Sequence, residues 1–210
     1  MEELKEIAAL LERGDDEKVR SLTESALAQS IDATVVLEDG LIAGMQVVGE
    51  RFRRHEIFLP EVLLAAKAMQ AGLAVLEPHL GSADAPSRGK VVIGTVQGDL
   101  HDIGKNLVGI MLSGAGFEVI DLGKNVAPRQ FVETARESGA GVIGMSALLT
   151  TTMPKMREVV TLLKERGLES KVRTVIGGAP VTEDYAREIG ADAYGFDAAN
   201  AVDRVRELLE

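Results

Sequence analysis

The chain contains no cysteine among its 210 residues. That absence excludes disulfides, thiolate metal sites, cysteine-ligated clusters and cysteine nucleophiles. Tryptophan is also missing and aromatic side chains make up only 3% of the chain, whereas 46% of its residues are hydrophobic. The sequence therefore predicts a globular protein whose core is built from alanine, valine, isoleucine, leucine and methionine.

Basic residues are scarce relative to acidic ones. The chain has 23 lysines and arginines against 33 aspartates and glutamates, which gives a net charge of −10. Non-specific binding to nucleic acid or to an anionic membrane needs a basic excess, so neither partner is expected. No apolar run approaches the length of a membrane span, and residues 1–6 lack the basic-then-apolar order of a secretion signal. We therefore expect a cytoplasmic protein.

Residues 1–80 carry the apolar period of helices. In the third helical segment, apolar side chains recur at spacings of three and four, which indicates an amphipathic helix: Leu37, Leu41, Met45, Val48 and Phe52. Residues that typically begin or end helices divide the region into four segments: Gly14, Asp16, Asp32 and Pro60. Four amphipathic helices joined by short connections predict a four-helix bundle.

A break in composition separates this region from the rest of the chain. Residues 77–89 are rich in small, polar, proline and glycine residues, which is typical of a linker. We predict a helical domain over residues 1–80, a linker over 81–89 and a second domain over 90–210.

From residue 90 onward, short apolar runs alternate with helical patterns. The runs predict five strands: Val91–Val96, Phe117–Asp121, Gly141–Met145, Val172–Ile176 and Ala191–Gly195. This alternation is typical of a parallel sheet with helices on both faces. Five strands fit the flavodoxin-like, Rossmann-like order 2-1-3-4-5, which places ligands at the carboxyl ends of the strands near strands one and three.

Three loops with polar or glycine-rich sequences follow strands one, three and four. They span residues 99–106, 146–152 and 177–180. Loops at the opposite edge carry only residues that are common in turns. Because the carboxyl ends of parallel strands share one edge, this segregation predicts a ligand site there.

Asp99 and His101 give the first loop its chemistry. A carboxylate two positions from an imidazole can orient that ring, which suits either a metal ligand or a general base. Gly177-Gly178 either admits a ligand close to the backbone or forms an ordinary turn. Ser146 and the threonines at 150–152 either bond a buried polar group or cap the helix that begins near Met153.

Several common sites do not fit these loops. The P-loop pattern and the dinucleotide pattern Gly-x-Gly-x-x-Gly are absent. Strand one lacks the acidic cluster of a receiver-type phosphorylation site, and Ser146 lacks the nucleophile-elbow pattern of a hydrolase. The residue types alone leave the ligand open.

The spacing of the motifs resembles that of a known family. Asp99-x-His101-x-x-Gly104, Ser146-x-Leu148 and Gly177-Gly178 resemble the signature of cobalamin-binding domains. The longer stretch 98–106 is similar to the methyl-carrying branch, which comprises corrinoid proteins and cobalamin-dependent methionine synthase. Residues 48–52 and 57–62 are similar to the helical cap of those proteins. The resemblance thus covers nearly the whole chain.

The resemblance implies cobalamin or a related corrinoid as the cofactor. His101 would replace the cofactor's own base as the lower axial ligand of cobalt. Asp99 would accept the other ring N–H, and Thr152, where methionine synthase carries serine, would continue the relay. Around the lower face and the nucleotide tail it implies Asp102, Ile103, Gly104, Ser146, Leu148, Thr150, Gly177 and Gly178. Over the upper face it implies Phe52, Leu59 and Val62, for which the alternative is ordinary core packing.

The function implied is that of a methyl shuttle rather than a complete enzyme. Its expected partners are a substrate-specific methyltransferase, an acceptor methyltransferase of the corrinoid:folate or corrinoid:thiol type, and a reductive activase. Three alternatives remain: a mutase subunit, a cobalamin-dependent regulator or sensor, and an α/β protein that binds another nucleotide-like ligand.

Overall fold

Two compact units make up the protein, whose computed structural model describes residues 2–79 and 88–209. The first unit holds the helices up to residue 79. The second holds the chain from Arg88 onward, apart from residues 114–116, which group with the first. Most of the predicted linker at 81–89 lies outside the described residues, and the predicted domain boundaries stay a prediction.

The first unit is a helical bundle, as the sequence predicted. Its α-helices are α1 (Glu2–Glu12), α2 (Asp16–Ala28), α3 (Ala33–Val35), α4 (Ala43–Arg53) and α5 (Leu59–Leu76). Aspartates begin two of these helices by accepting backbone N–H groups. Asp15 accepts from Lys18, and Asp32 accepts from Thr34 and Val35.

The third predicted helix contains a feature that the sequence did not reveal. Residues Val36–Ile42 form a π-helix that joins α3 to α4 without a break. The apolar spacing of three and four continues through it, so periodicity gave no sign of the wider turn. Gly44 allows α4 to pack closely on α1, because a Cβ there would lie 2.9 Å from the backbone of Ala8.

Helix α5 is longer and more apolar than the sequence reasoning allowed. Its 18 residues have a mean hydropathy of 1.4, so by length and composition alone it could cross a membrane. The prediction that no apolar run approaches that length is therefore wrong. However, α5 packs against α2, carries Glu61 and Lys67, and buries Val62, Ala65 and Met69, as the core helix of a globular domain does.

The second unit is a five-stranded parallel sheet with the predicted order β2-β1-β3-β4-β5. Its strands are β1 (Lys90–Thr95), β2 (Glu118–Asp121), β3 (Val142–Ser146), β4 (Arg173–Gly177) and β5 (Ala193–Gly195). The helices between and after them are α6 (Ile103–Gly114), α7 (Pro128–Ser138), α8 (Pro154–Glu165), α9 (Glu183–Ile189) and α10 (Ala198–Leu209). Each predicted strand is present, with ends shifted by two residues or fewer.

The sheet core uses one of the few aromatic residues at a close contact. Phe131 on α7 is fully buried. A Cβ on Gly94 of β1 would lie 2.7 Å from its ring. The glycine therefore makes room for the ring, and α7 packs directly on the first strand.

The register of the sheet brings the predicted loops together. Thr95 pairs with Ser146, and Ser146 pairs with Gly177. The three loops that follow β1, β3 and β4 therefore start side by side at the carboxyl edge, as predicted.

Candidate functional site

Asp99 is the centre of the carboxyl edge. Its carboxylate is fully buried. Oδ1 accepts hydrogen bonds from His101 Nδ1 at 2.7 Å and His101 N at 3.1 Å. Oδ2 accepts from Leu148 N at 2.8 Å, Leu149 N at 3.1 Å and Thr152 Oγ1 at 2.9 Å. One carboxylate therefore joins the loop after β1 to the loop after β3.

The environment of Asp99 favours its ionised form. Burial alone would raise the pKa of this carboxyl, because it removes the charge from water. The hydrogen bonds from the His101 ring, from the backbone N–H groups of His101 and Leu148, and from the Thr152 hydroxyl outweigh that effect. They hold the pKa of Asp99 well below its usual range.

His101 presents a ring nitrogen outward. Because an ionised carboxylate can only accept, the bond to Asp99 assigns the ring proton to Nδ1. The other nitrogen, Nε2, then carries a lone pair. The side chain is 53% exposed, so this nitrogen is accessible to a ligand. On the other side of the residue, the His101 carbonyl accepts a hydrogen bond from Thr95 Oγ1 at 3.0 Å.

Thr152 serves the carboxylate and not the next helix. The residue before α8, Met153, makes no side-chain capping bond. The Thr152 hydroxyl lies 2.9 Å from Asp99 Oδ2 and 2.8 Å from the Leu149 carbonyl oxygen. Its single proton favours the charged acceptor. The hydroxyl relay implied by the resemblance is thus geometrically in place.

Two of the site glycines are required by contacts within the protein. Gly178 has a φ of +125°, and a Cβ there would lie 1.9 Å from the Ala147 carbonyl oxygen. A Cβ on Gly177 would lie 2.9 Å from the Gly195 carbonyl oxygen. Both glycines therefore let neighbouring strand ends approach closely.

Gly104 differs from those two. It lies at the start of α6, has no positive φ, and a Cβ there would meet no atom within 4 Å. Nothing in the described protein explains the missing side chain. Gly104 lies three positions after His101 in the chain and is exposed.

The other predicted site residues surround this centre or lie in the helical unit. Asp102 and Ser146 are half-buried, and the remaining residues of the sheet edge are exposed: Ile103, Leu148 and Thr150. In the helical unit, Phe52 and Leu59 are half-buried and Val62 has no exposed surface. The proposed cofactor contacts of all these residues stay predictions.

Sequence reasoning missed two residues that hold the first loop. The Thr95 hydroxyl donates to the His101 carbonyl. A hydroxyl that follows a run of apolar strand residues needs a hydrogen-bond partner, and this could have identified Thr95 from the sequence. Asn125, at a φ of +56°, accepts from Gly98 N at 2.8 Å and donates its N–H to the Asp99 carbonyl at 3.0 Å. No sequence signal marks Asn125, since its partners lie 26 or 27 positions away.

Comparisons with known proteins agree with this geometry. Residues 89–205 match the family described as B12 binding domain, and residues 3–77 match a second family with the same description. Trimethylamine corrinoid protein 1 of Methanosarcina acetivorans is 47% identical over 197 residues, which cover 93% of this chain and 91% of that protein. The chain belongs to the corrinoid proteins of methyltransferase systems.

Two further relatives extend that result. Dimethylamine corrinoid protein 2 of Methanosarcina mazei is 50% identical over 182 residues, which cover 86% of this chain and 85% of that protein. The methanol:cobalamin methyltransferase complex of Methanosarcina barkeri contains a chain that matches this corrinoid protein with a TM-score of 0.91 and 30% identity. That match covers 99% of this chain and 80% of the other.

The protein therefore binds cobalamin or a related corrinoid, and its donor set fits that cofactor. Within residues 2–79 and 88–209, no group of three or more histidine, aspartate or glutamate side chains could hold a bare metal ion. A single outward imidazole nitrogen suits a cobalt whose equatorial positions the corrin ring already fills.

Proposed function

We propose that His101 is the lower axial ligand of the corrinoid cobalt, in place of the cofactor's own base. We further propose that the protein carries methyl groups from a substrate-specific methyltransferase to an acceptor methyltransferase. The observation that carries this proposal is the hydrogen bond between His101 Nδ1 and Asp99, which leaves Nε2 as an exposed donor nitrogen.

The residues around His101 would prepare it for this role. Asp99 holds the ring proton on Nδ1 and raises the donor strength of Nε2. Thr152 donates to the other carboxylate oxygen and keeps Asp99 fixed. When bound, the corrinoid supplies a cobalt centre that accepts and releases a methyl group.

Other residues at this edge would receive the rest of the cofactor. The displaced nucleotide tail would approach the backbone at Gly104, where a Cβ would meet no atom of the protein within 4 Å. Ser146, Leu148 and Thr150 would line its path, together with Gly177 and Gly178. In the helical unit, Phe52, Leu59 and Val62 would shield the upper, methyl-bearing face.

The partners follow from the family rather than from a residue of this chain. The relatives are named for trimethylamine, dimethylamine and methanol systems, so we infer a donor that is a small methylated amine or alcohol. The acceptor methyltransferase would be of the corrinoid:folate or corrinoid:thiol type, and a reductive activase would restore the inactive cofactor. We expect the assembly in the cytoplasm.

The ligand proposal is tested by loading the purified protein with hydroxocobalamin and removing free cofactor. Wild-type protein should retain corrinoid with a histidine-ligated absorption spectrum. His101→Ala should lose that spectrum and bind at least tenfold more weakly. His55→Ala is the matched control, because His55 is an exposed histidine in the helical unit.

Isotope labelling sharpens the same experiment. Replacing ¹⁴N by ¹⁵N in histidine alone should change the nitrogen splitting in the electron paramagnetic resonance spectrum of the cobalt(II) form. The chain has only three histidines, so His101→Ala assigns the effect. An unchanged splitting, or equal spectra for His101→Ala and wild type, would show that His101 is not the ligand.

The shuttle proposal needs a separate measurement. The loaded, reduced protein is mixed with methyltransferases of the methylamine and methanol types and their methyl donors. Methylation should change its absorption spectrum with at least one pair. Retained corrinoid that accepts no methyl group from any pair would contradict the proposed donor class.

A further inference from the structure

Thr95 is a buried polar residue with a partner in the site loop. It ends β1, lies between Gly94 and Val96 in the chain, and has no exposed surface. A buried hydroxyl needs a hydrogen-bond partner. The Thr95 hydroxyl donates to the carbonyl oxygen of His101, six residues along the chain, at 3.0 Å.

Thr95 is itself firmly held. Its backbone N–H donates to the Gly123 carbonyl at 2.9 Å, and its own carbonyl accepts from Val126 N at 3.0 Å. On its other side it pairs with Ser146 of β3. Its branched Cβ also restricts the rotation of the hydroxyl. The hydroxyl is therefore a fixed point from which the loop can be positioned.

The bond to Thr95 completes the anchoring of His101. Asp99 holds the backbone N–H and the ring Nδ1, both through Oδ1. Those two bonds alone let the residue swing about one oxygen atom. The Thr95 bond holds the carbonyl of the same residue and so adds an anchor that Asp99 does not supply.

We propose that Thr95 is a positioning residue for the axial ligand: its hydroxyl sets the direction in which His101 Nε2 faces the cofactor. This inference rests on the proposed ligand role of His101. A ligand that is held in place before binding loses less conformational freedom when the cofactor arrives. Without the hydroxyl, the ring bonds Asp99 for a smaller share of the time and samples more orientations.

The chain offers a matched control in Thr174. That residue is also a threonine in a strand, β4, and is 1% exposed. Its hydroxyl bonds Asp192 Oδ2 at 2.9 Å at the opposite edge of the sheet. Thr174→Val removes a buried strand hydroxyl without touching the loop of His101.

The first measurement uses the protein without cofactor. Hydrogen exchange of the His101 backbone N–H reports the mobility of the loop, and ¹⁵N imidazole resonances above pH 8 report the ring tautomer. In Thr95→Val the His101 amide should exchange about three- to tenfold faster, as expected for the loss of one hydrogen bond. The share of the Nδ1-protonated tautomer should fall. Thr174→Val should match wild type in both.

The second measurement is the affinity for hydroxocobalamin. Thr95→Val should bind about three- to tenfold more weakly, whereas Thr95→Ser, which keeps the hydroxyl, should stay within about twofold of wild type. If Thr95→Val does not fold, Thr95→Ser is compared with Thr95→Ala, because these two differ only in the hydroxyl.

The outcomes separate this inference from the proposed function. Unchanged exchange, tautomer and affinity in Thr95→Val, beside an impaired His101→Ala protein, would overturn the role of Thr95 alone. A His101→Ala protein that binds corrinoid as wild type does would overturn the ligand role and this inference with it.

Discussion

Each edge of the sheet carries an aspartate that accepts several hydrogen bonds, but the two hydrogen-bond networks differ in where they end. At the carboxyl edge, Asp99 accepts hydrogen bonds from His101 in its own loop and from Leu148, Leu149 and Thr152 in the loop after β3. At the amino edge, Asp192 accepts from Thr174 N at 2.8 Å, Thr174 Oγ1 at 2.9 Å and Arg173 Nη1 at 3.1 Å. Both carboxylates thus tie a loop to the sheet.

The difference lies in where each network ends. The partners of Asp192 are backbone and side-chain groups of its neighbouring strand, and its side chain is 26% exposed. Asp99 is fully buried, and its network continues into a ring with an outward nitrogen. A carboxylate network is therefore not in itself a ligand site. The site also requires a hydrogen-bonded partner, here the His101 ring, that keeps a nitrogen lone pair free for a ligand.

The largest expected effect comes from replacing the two carboxylates. Asp99→Asn should destabilise the protein by about 3 kcal/mol, because an amide NH₂ would face donors in a buried place. Asp192→Asn should cost about 1 kcal/mol, since water reaches that site. Urea unfolding of both variants measures the difference. Equal costs would mean that burial does not distinguish the two edges.

Acid should reduce the difference in stability between wild type and Asp99→Asn. The pKa of Asp99 is held well below its usual range in the folded protein. Its ionised form therefore adds stability above the unfolded pKa, about 3.9. That stability is lost as the pH falls through this value toward the folded pKa. Urea unfolding between pH 7 and pH 3 should show the two curves converge. A difference in the free energy of unfolding that does not change with pH would contradict the low pKa of Asp99 in the folded protein.

A smaller effect is expected at Thr152. Thr152→Val should cost about 1 kcal/mol, because it removes one donor to a buried carboxylate. Thr152→Ser, which keeps the hydroxyl, should cost less than half of that. Thermal unfolding measures both, and Thr150→Val serves as an exposed control. A Thr152→Ser protein as unstable as Thr152→Val would show that the methyl group matters more than the hydroxyl.

The smallest expected changes in stability come from replacing Gly104 and Gly139 by alanine. An added Cβ would meet no atom within 4 Å at either position, but the two changes should have opposite signs. Gly104→Ala should stabilise the cofactor-free protein by about 0.5 kcal/mol, because alanine favours the helix. Gly139→Ala, at a φ of +70° near the amino edge, should destabilise it by about 1 kcal/mol. Thermal unfolding checks both signs.

The same pair of variants distinguishes stability from binding. If the space beside Gly104 receives the corrinoid, Gly104→Ala should bind hydroxocobalamin more weakly despite its gain in stability. Gly139→Ala should bind as wild type does. Unaltered hydroxocobalamin binding by Gly104→Ala would contradict the proposal that the space beside Gly104 receives the corrinoid.

Local patterns predicted most of the fold. The strands and their order followed from short apolar runs, because a parallel sheet buries both of its faces. The starts of α2 and α3 followed from aspartates at the helix ends, where Asp15 and Asp32 accept backbone N–H groups. The π-helix at Val36–Ile42 was missed, since one extra residue per turn leaves the apolar spacing of a short segment almost unchanged.

The site was predicted only in part. Asp99 and His101 were identifiable because they are two positions apart in one loop. The link from Asp99 to Thr152 came from resemblance, because 53 positions separate them. The contacts that require glycine at positions 177 and 178 could be recognised only from the positions of Gly195 and Ala147 in the folded protein. Asn125 could not be found from the sequence because its partners lie 26 or 27 positions away, and the role of Thr95 required the path of the loop back to the strand end.

The sequence by itself determined which residue types could meet at the carboxyl edge, since the positions of the strands along the chain and the composition of the loops after them are local properties. Only the tertiary structure decided which nitrogen of His101 is left for a ligand. That choice depends on a buried carboxylate that collects donors from two loops. Hydrogen bonds between residues about fifty positions apart exist only once the sheet has aligned the strand ends.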